Sequence, residues 1–344
     1  MRAAFIDKPF SISFIKDAPE PQLSEGRQIK IKVHTVGICG SEMHAYHGTH
    51  PFRIPPVVTG HEFSGTVVAV GKEVSKFQIG DRVTAEVGVG CDRCSLCKAG
   101  LYNVCKTKHY LGSGNWSGPF GEYIIVPEKV LYKIPDHVSF EVGALIEPLA
   151  VGMHAVRSSK PEMGSTICVV GCGAIGLSVI LAARLAGVTT IIASDVSEGS
   201  LAIAAELGAT HLHNATAEPL HQKVEQLTKG LGVDICYLAF GNEHIYDEVL
   251  DLTRPGGTIS QIAFMNEPFL VDVAKIQNKS LRIIGCNAYV SKDYHIVCEA
   301  LKNKRFWDLE KMITKVFPIE ACAKAVKMVE QRDTTVIRVM LQFR

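Results

Sequence analysis

With 344 residues, the chain is too long for one ordinary hydrophobic core, which points to two domains. Hydrophobic residues make up 47% and charged residues 21%, as in ordinary globular proteins, and 36 basic against 35 acidic residues leave a net charge of +1. No basic excess argues for nucleic acid or an anionic membrane surface, so neither is expected as a partner.

The opening residues, MRAAFIDKPF, carry no apolar core or cleavage-site pattern and give no expectation of secretion. Eleven cysteines are an odd number, and part of them have metal-ligand spacing rather than that of a disulfide framework. Both features favour a reducing, cytoplasmic setting.

Up to about residue 150 the chain reads as short strands between glycine and proline turns. "IKIKVHTVGICG", "FSGTVVAVG", "GDRVTAEV" and "GEYIIVP" each alternate or run apolar in strand fashion. From about 152 the texture changes. "STICVVGCGAIGLSVILAARLAG" predicts strand, glycine turn and helix. "TTIIASD" predicts a strand, and "SEGSLAIAAELGA" a helix with Ser197 as N-cap. "GVDICYLAFG", "PGGTISQIAF" and "KSLRIIGCN" predict three more strands. Strands alternating with helices mean a doubly wound parallel sheet. Beyond about 288, "DYHIVCEALKNKR" and "IEACAKAVKMVEQR" read as helices and "TVIRVMLQF" as a closing strand. The expected division is residues 152–287 as a dinucleotide-binding domain, with 1–151 and 288–344 together forming a β-rich domain. The longest apolar stretch, Ile167 to Ala183, is short for a membrane span and holds Gly171, Gly173 and Gly176, so a buried strand turning into a helix accounts for it.

Those glycines form a G-x-G-x-x-G turn that includes Ala174 and Ile175. The motif follows a strand and opens a helix, which is the context a pyrophosphate site requires. Asp195 ends the next strand, 19 residues beyond Gly176. A carboxylate there can hold the ribose hydroxyls of an adenosine and would repel a 2′-phosphate. Between Arg184 and Lys223 no Lys or Arg is available to neutralise such a phosphate, which favours NAD over NADP.

Cys91, Cys94, Cys97 and Cys105 have C-x2-C-x2-C-x7-C spacing. Four thiolates can close a tetrahedral zinc shell with no open position, so this metal would pin a loop. Cys168, Cys172, Cys236, Cys286, Cys298 and Cys322 are scattered, and most fall in apolar segments as packing residues.

"GICGSEMHAYHG" holds Cys39, Ser41, His44 and His47, "TGHEFSG" holds His61 and Glu62, and "ALIEPLAVGMHA" holds Glu147. In this order, with the four-cysteine lobe and the glycine turn, the chain resembles the zinc-dependent medium-chain alcohol and polyol dehydrogenases over essentially its whole length. The likeness is to the sorbitol, threonine and sugar-acid dehydrogenase branch. It implies a GroES-like catalytic domain beside a Rossmann domain, two zinc ions and NAD. It also implies a catalytic zinc held by Cys39, His61 and Glu62, with Glu147 as exchangeable ligand or second partner; which glutamate touches the metal stays open. Such a zinc, with an open position, is a Lewis acid for removing hydride from an alcohol. By the same resemblance Ser41 receives the alcohol proton and passes it through the NAD ribose to His44, and the chain is a homotetramer or homodimer.

Polyol dehydrogenases often carry an Arg-Tyr pair after the last sheet strand, whereas here Ala288 precedes Tyr289. The loop "HAYHGTHPFRIPPVV" looks more like that of sugar-acid dehydrogenases. In it Arg53 reads either as a partner for a substrate carboxylate or as a surface arginine. His47, Phe52, Trp116 and Phe120 read as pocket lining or as loop packing. The expected function is hydride transfer to NAD from a secondary hydroxyl of a polyol, sugar acid or hydroxy amino acid. The alternatives are a zinc-free NADPH quinone or enoyl reductase of the same fold, and a nonenzymatic zinc- or NAD-binding protein.

Overall fold

A computed structural model describes residues 1–344 except 25, 115, 266–267 and 332–334. It divides into two compact units. One comprises Met1–Glu147, Val290–Arg305 and Leu309–Arg344; the other comprises Pro148–Tyr289 and Phe306–Asp308. Among the described residues, no helix is long and apolar enough to cross a membrane.

The first unit is built on the strand Gln28–Ile38. Its first half alternates, with Ile29, Ile31 and Val33 buried and Lys30 and Lys32 partly exposed, as a strand with one covered face requires. Its second half, from Thr35 to Ile38, is buried throughout. The pairing explains the change. Tyr123–Pro127 lies against the first half and Arg338–Gln342 against the second, both antiparallel, while Phe63–Val70 runs along the other edge. The sheet continues through Arg82–Ala85 to Leu131–Lys133 on one side and to Ile313–Pro318 on the other. The segment "TVIRVMLQF" thus pairs with the strand that carries Cys39 at its end. The helix of the preceding segment spans Cys322–Glu330, and the last residue of the predicted stretch, Arg332, lies outside the described residues.

The second unit is a six-stranded sheet, all parallel, in the order His211–Asn214, Thr190–Asp195, Thr166–Val170, Val233–Leu238, Thr253–Gln261 and Arg282–Gly285. Chain order reverses direction between Thr166–Val170 and Val233–Leu238, the switch point at which open α/β sheets receive ligands beyond their strand ends. The central strands are β-branched and buried on both faces, as parallel strands under helices must be. Ala174–Leu185 follows the glycine turn and is buried on nearly all sides, which its apolar sequence demands. Ser197 caps Glu198–Glu206 by accepting the Ser200 N–H, and Asn242 caps Glu243–Leu252 through the Ile245 N–H; each is worth about 1 kcal/mol. The strand His211–Asn214 carries no apolar pattern that would announce it. It is a short edge strand, and its register on Thr190–Asp195 defines it.

Candidate metal centres and dinucleotide turn

Cys91, Cys94, Cys97 and Cys105 converge in the first unit, with their Sγ atoms all within 4.8 Å of one another. Cys94 caps the turn Ser95–Lys98, and its sulfur accepts the Cys97 N–H at 3.4 Å. The backbone N–H groups of Arg93 and Cys94 pull the Cys91 thiol down to about 5, whereas burial and the neighbouring Cys94 push Cys97 up to about 12. Four sulfurs this close cannot all be thiolates without a cation among them, and zinc meets that need with no position left open. The lobe is anchored by Tyr102, whose hydroxyl donates to the buried Glu86; the Tyr132 hydroxyl donates to the other Glu86 oxygen at 2.6 Å. All eleven cysteines are free thiols, and of the six outside the lobe and Cys39, all but Cys286 are buried.

A second donor group assembles from three distant segments of the same unit. Cys39 stands where Gln28–Ile38 ends and the short helix Gly40–Tyr46 begins. His61 and Glu62 immediately precede Phe63–Val70, and Glu147 lies in the first turn of Ile146–Ser159. Donor atoms of Cys39, Glu42 and His61 lie within 4.8 Å of one another, as do those of His61, Glu62 and Glu147, so His61 belongs to both trios. His61, Glu62 and Glu147 are buried.

Two glycines make this packing possible. A Cβ at Gly37 would overlap Glu62 Oε2, and one at Gly60, whose φ is +99°, would meet Phe120 at 2.7 Å. Neither Glu62 oxygen accepts a hydrogen bond among the described residues, although Oε1 lies 3.2 Å from Arg338 Nη2. Arg338 also donates to the Ile38 carbonyl at 2.9 Å.

Glu42 accepts the Cys39 N–H at 3.1 Å with Oε2 and faces His61 Nδ1 at 2.9 Å with Oε1. Burial alone would raise the Glu42 pKa, but His61, Arg53 and the Cys39 N–H outweigh it and hold the carboxyl at about 2. With Nδ1 committed to Glu42, the His61 ring has Nε2 to offer a metal, the arrangement that fixes tautomer and ring orientation at zinc-binding histidines. One sulfur, one imidazole nitrogen and the two Glu62 oxygens, neither of which accepts a hydrogen bond among the described residues, fit zinc.

Ser41 and His44 stand three residues apart on Gly40–Tyr46 and therefore on one face of the helix. Ser41 Oγ accepts from Arg53 Nη1 at 2.9 Å, and His44 Nδ1 lies 3.3 Å from Thr49 Oγ1. Arg53 is not a surface residue: it is 4% exposed and bound to groups of the chain itself. The other loop residues make packing contacts. His47 Nε2 is 3.1 Å from Glu330, Phe52 stacks on Tyr110, Trp116 donates to the Ile125 carbonyl at 2.7 Å, and Phe120 is fully buried.

In the second unit, Gly171 has φ +89°, and a Cβ there would lie 2.7 Å from Phe240 Cβ. A Cβ at Gly176 would overlap the Gly171 carbonyl, while one at Gly173 would meet no atom within 4 Å. The first and third glycines are therefore required by packing, and the second borders open space at the start of Ala174–Leu185. Ala174 and Ile175 form the first turn of that helix. Asp195 Oδ2 accepts the Cys172 N–H at 2.6 Å and Oδ1 the Ser197 N–H at 2.9 Å. Both oxygens keep lone pairs for further hydroxyl donors.

Residues 25–136 match the family described as alcohol dehydrogenase GroES-like domain, and residues 174–303 that described as zinc-binding dehydrogenase. The sorbitol dehydrogenase of Bacillus subtilis is 36% identical over 79% of this chain and 79% of its own length. The L-idonate 5-dehydrogenase of Vitis vinifera is 32% identical over 84% of this chain and 80% of its own. The crystal structure of an Escherichia coli alcohol dehydrogenase complexed with NADH superposes with a TM-score of 0.90 at 31% identity, covering 100% of this chain and 99% of that one. The chain belongs to the zinc-dependent medium-chain alcohol and polyol dehydrogenases.

In this dehydrogenase two charged residues around the second donor group escape a motif-based reading. Glu42 stands three residues beyond Cys39, the spacing at which an acidic side chain reaches back to a helix start, and that spacing is its sequence signal. Arg338 is a lone charge in an apolar closing strand, the usual mark of a buried pair. Arg53 stands out in its loop by sequence, but nothing there signals its burial. The position before Tyr289 is held by Ala288 with φ +50°, and Tyr289 itself is buried.

Proposed function

We propose that this dehydrogenase oxidises a secondary hydroxyl of a polyol, sugar acid or hydroxy amino acid with NAD as acceptor. The observation that carries the reading is the donor group around His61, which combines sulfur, imidazole and carboxylate donors in a chain that also presents the glycine turn and Asp195. When bound, zinc at Cys39, His61 and Glu62 or Glu147 supplies Lewis acidity, and NAD at Gly171–Gly176 supplies the hydride acceptor.

The remaining work falls to the chain's own side chains. Glu42 orients the His61 ring, and Arg338 holds one Glu62 oxygen. The Ser41 hydroxyl takes the proton leaving the substrate, and His44, partly exposed on the same helix face, exchanges it with solvent. Asp195 offers its carboxylate to the ribose hydroxyls and disfavours a 2′-phosphate. We also read the protein as a cytoplasmic homo-oligomer, a dimer or tetramer, to be checked by light scattering.

The test is zinc content per chain together with NAD and NADP reduction over a panel of polyols, sugar acids and hydroxy amino acids. Two zinc ions and turnover with NAD support the reading. A metal-free protein that uses NADPH, or one zinc without turnover, would overturn it.

A further inference from the structure

Arg53 sits in the loop between the Gly40–Tyr46 helix and His61, and its guanidinium is spoken for on three sides. Nη1 donates to Ser41 Oγ at 2.9 Å and lies 3.6 Å from Glu42 Oε1, and Nη2 donates to the Leu111 carbonyl at 3.3 Å. The loop delivers it in a fixed pose. His50 Nδ1 accepts the N–H groups of both Phe52, at 3.3 Å, and Arg53, at 3.1 Å. Phe52 in turn stacks on Tyr110 with ring centroids 4.4 Å apart and planes 7° from parallel. At 4% exposure the side chain has no room to swing into solvent.

A guanidinium has five donors and no acceptor, whereas a serine hydroxyl has one donor and two lone pairs. The bond between Arg53 and Ser41 can therefore run in one direction only. It occupies one lone pair on Oγ and forbids the serine proton from pointing at the arginine. The other lone pair and the O–H are left facing away from Arg53. A hydroxyl in that state can receive a proton on its free lone pair while it releases its own. One proton arrives on Oγ as another leaves, so the serine is unchanged after a turnover.

We propose that Arg53 is a positioning residue for proton transfer, which fixes the polarity of the Ser41 hydroxyl through its Nη1 bond. The proposal rests on the reading of Ser41 as proton carrier given above. The competing account is that Arg53 only neutralises the buried Glu42 carboxylate.

A double-mutant cycle separates the two. Wild type, Arg53→Lys, Ser41→Ala and the double variant are compared for kcat, KM, zinc content and NADH affinity by fluorescence titration. Lysine keeps a positive charge for Glu42 but lacks the fork that serves Ser41 and Leu111 together. Arg53→Lys is expected to lower kcat about 10-fold or more, a part of the roughly 100- to 10,000-fold that positioned proton transfer contributes, with little change in KM. Zinc content and NADH affinity stay at wild-type values. In the Ser41→Ala background the same substitution is expected to change kcat by less than about twofold, because the partner it acts through is gone.

Equal losses in both backgrounds overturn the proposal and leave the Ser41 reading intact. Wild-type turnover in Ser41→Ala overturns that reading and the proposal with it. Should Arg53→Lys fold poorly, Arg53→Gln is run through the same cycle. Loss of zinc in both variants assigns Arg53 to the Glu42 charge alone and rejects the proposal.

Discussion

Glu42 Oε1 lies 2.9 Å from His61 Nδ1, while its other oxygen accepts the backbone N–H of Cys39 at 3.1 Å. One buried carboxylate thus ties together two residues whose donor atoms belong to the same trio. Removing it leaves the imidazole free to turn. Glu42→Ala is expected to weaken zinc binding at this site by about 10- to 100-fold, with the four-cysteine lobe unaffected. Competition with a chromogenic chelator reads both sites. A single wild-type affinity for the His61 site would rule out the orienting role.

The three glycines of the dinucleotide turn are expected to separate experimentally. Gly176→Ala forces a Cβ onto the Gly171 carbonyl and should lower the unfolding midpoint sharply. Gly173→Ala meets no protein atom within 4 Å and should leave stability within about 1 kcal/mol of wild type while weakening NADH binding. Thermal unfolding and fluorescence titration, run side by side, check the split. Unimpaired NADH binding in Gly173→Ala would count against this turn as the pyrophosphate site.

Asp195→Ala is expected to narrow the preference for NAD over NADP. Two hydrogen bonds to ribose hydroxyls, at about 0.5–1.5 kcal/mol each, correspond to a rise of roughly 5- to 150-fold in the NAD dissociation constant. Binding of NADP should stay level or improve as the repulsion is lifted. The ratio of kcat/KM for the two cofactors is the measurement, and an unchanged ratio would exclude the ribose assignment.

The two candidate metal centres are expected to fail differently. Cys39→Ser is expected to abolish turnover while NADH still binds and the lobe keeps its zinc. Cys97→Ser is expected to remove the lobe's zinc, loosen the segment that Tyr102 anchors to Glu86, and lower the unfolding midpoint. Zinc analysis of the purified variants should give about one equivalent in each case. Full activity in a Cys39→Ser protein stripped of that zinc would overturn the catalytic assignment.

His50 supplies a pH signature. Burial, followed by the nearby Arg53 charge, lowers its pKa to about 4. The folded state therefore resists a proton that the unfolded chain, titrating near 6.5, accepts. Stability from this group is complete above about 6.5 and declines as the pH falls toward 4, because the unfolded state then binds more protons. His50→Asn keeps an acceptor for the Phe52 and Arg53 N–H groups without titrating. Its stability should match wild type at pH 7 and exceed it at pH 5, as denaturant unfolding at the two values will show. Parallel curves would mean that His50 titrates normally.

Much of the fold was legible because it follows period and punctuation. The β-branched runs at Ile167–Val170 and Ile191–Ala193, the glycine turn and the Ser197 cap all announce themselves locally. The strand His211–Asn214 does not, since an edge strand need not be apolar and only its register on a neighbour defines it. The site divides in the same way. Cysteine spacing is a local signal, and the C-x2-C-x2-C-x7-C run from Cys91 to Cys105 is legible in fifteen consecutive residues. The partnership of Glu62 with Arg338 spans 276 residues of sequence and arises only because Arg338–Gln342 pairs with Gln28–Ile38. The burial of Arg53 depends on a loop held by His50 and Tyr110, which no periodicity encodes.

The bare Cα of Gly37 beneath Glu62 has a consequence for assembly. Gly37 is flanked by Val36 and Ile38, and the pairing of Val36 with Phe63 places the one residue lacking a side chain under the carboxylate. A slip of the strand by a single position would bring a branched side chain there and push Glu62 aside. The seat for that carboxylate therefore exists in one alignment of the strand only, so backbone pairing and the geometry of the donor atoms beside His61 are fixed together.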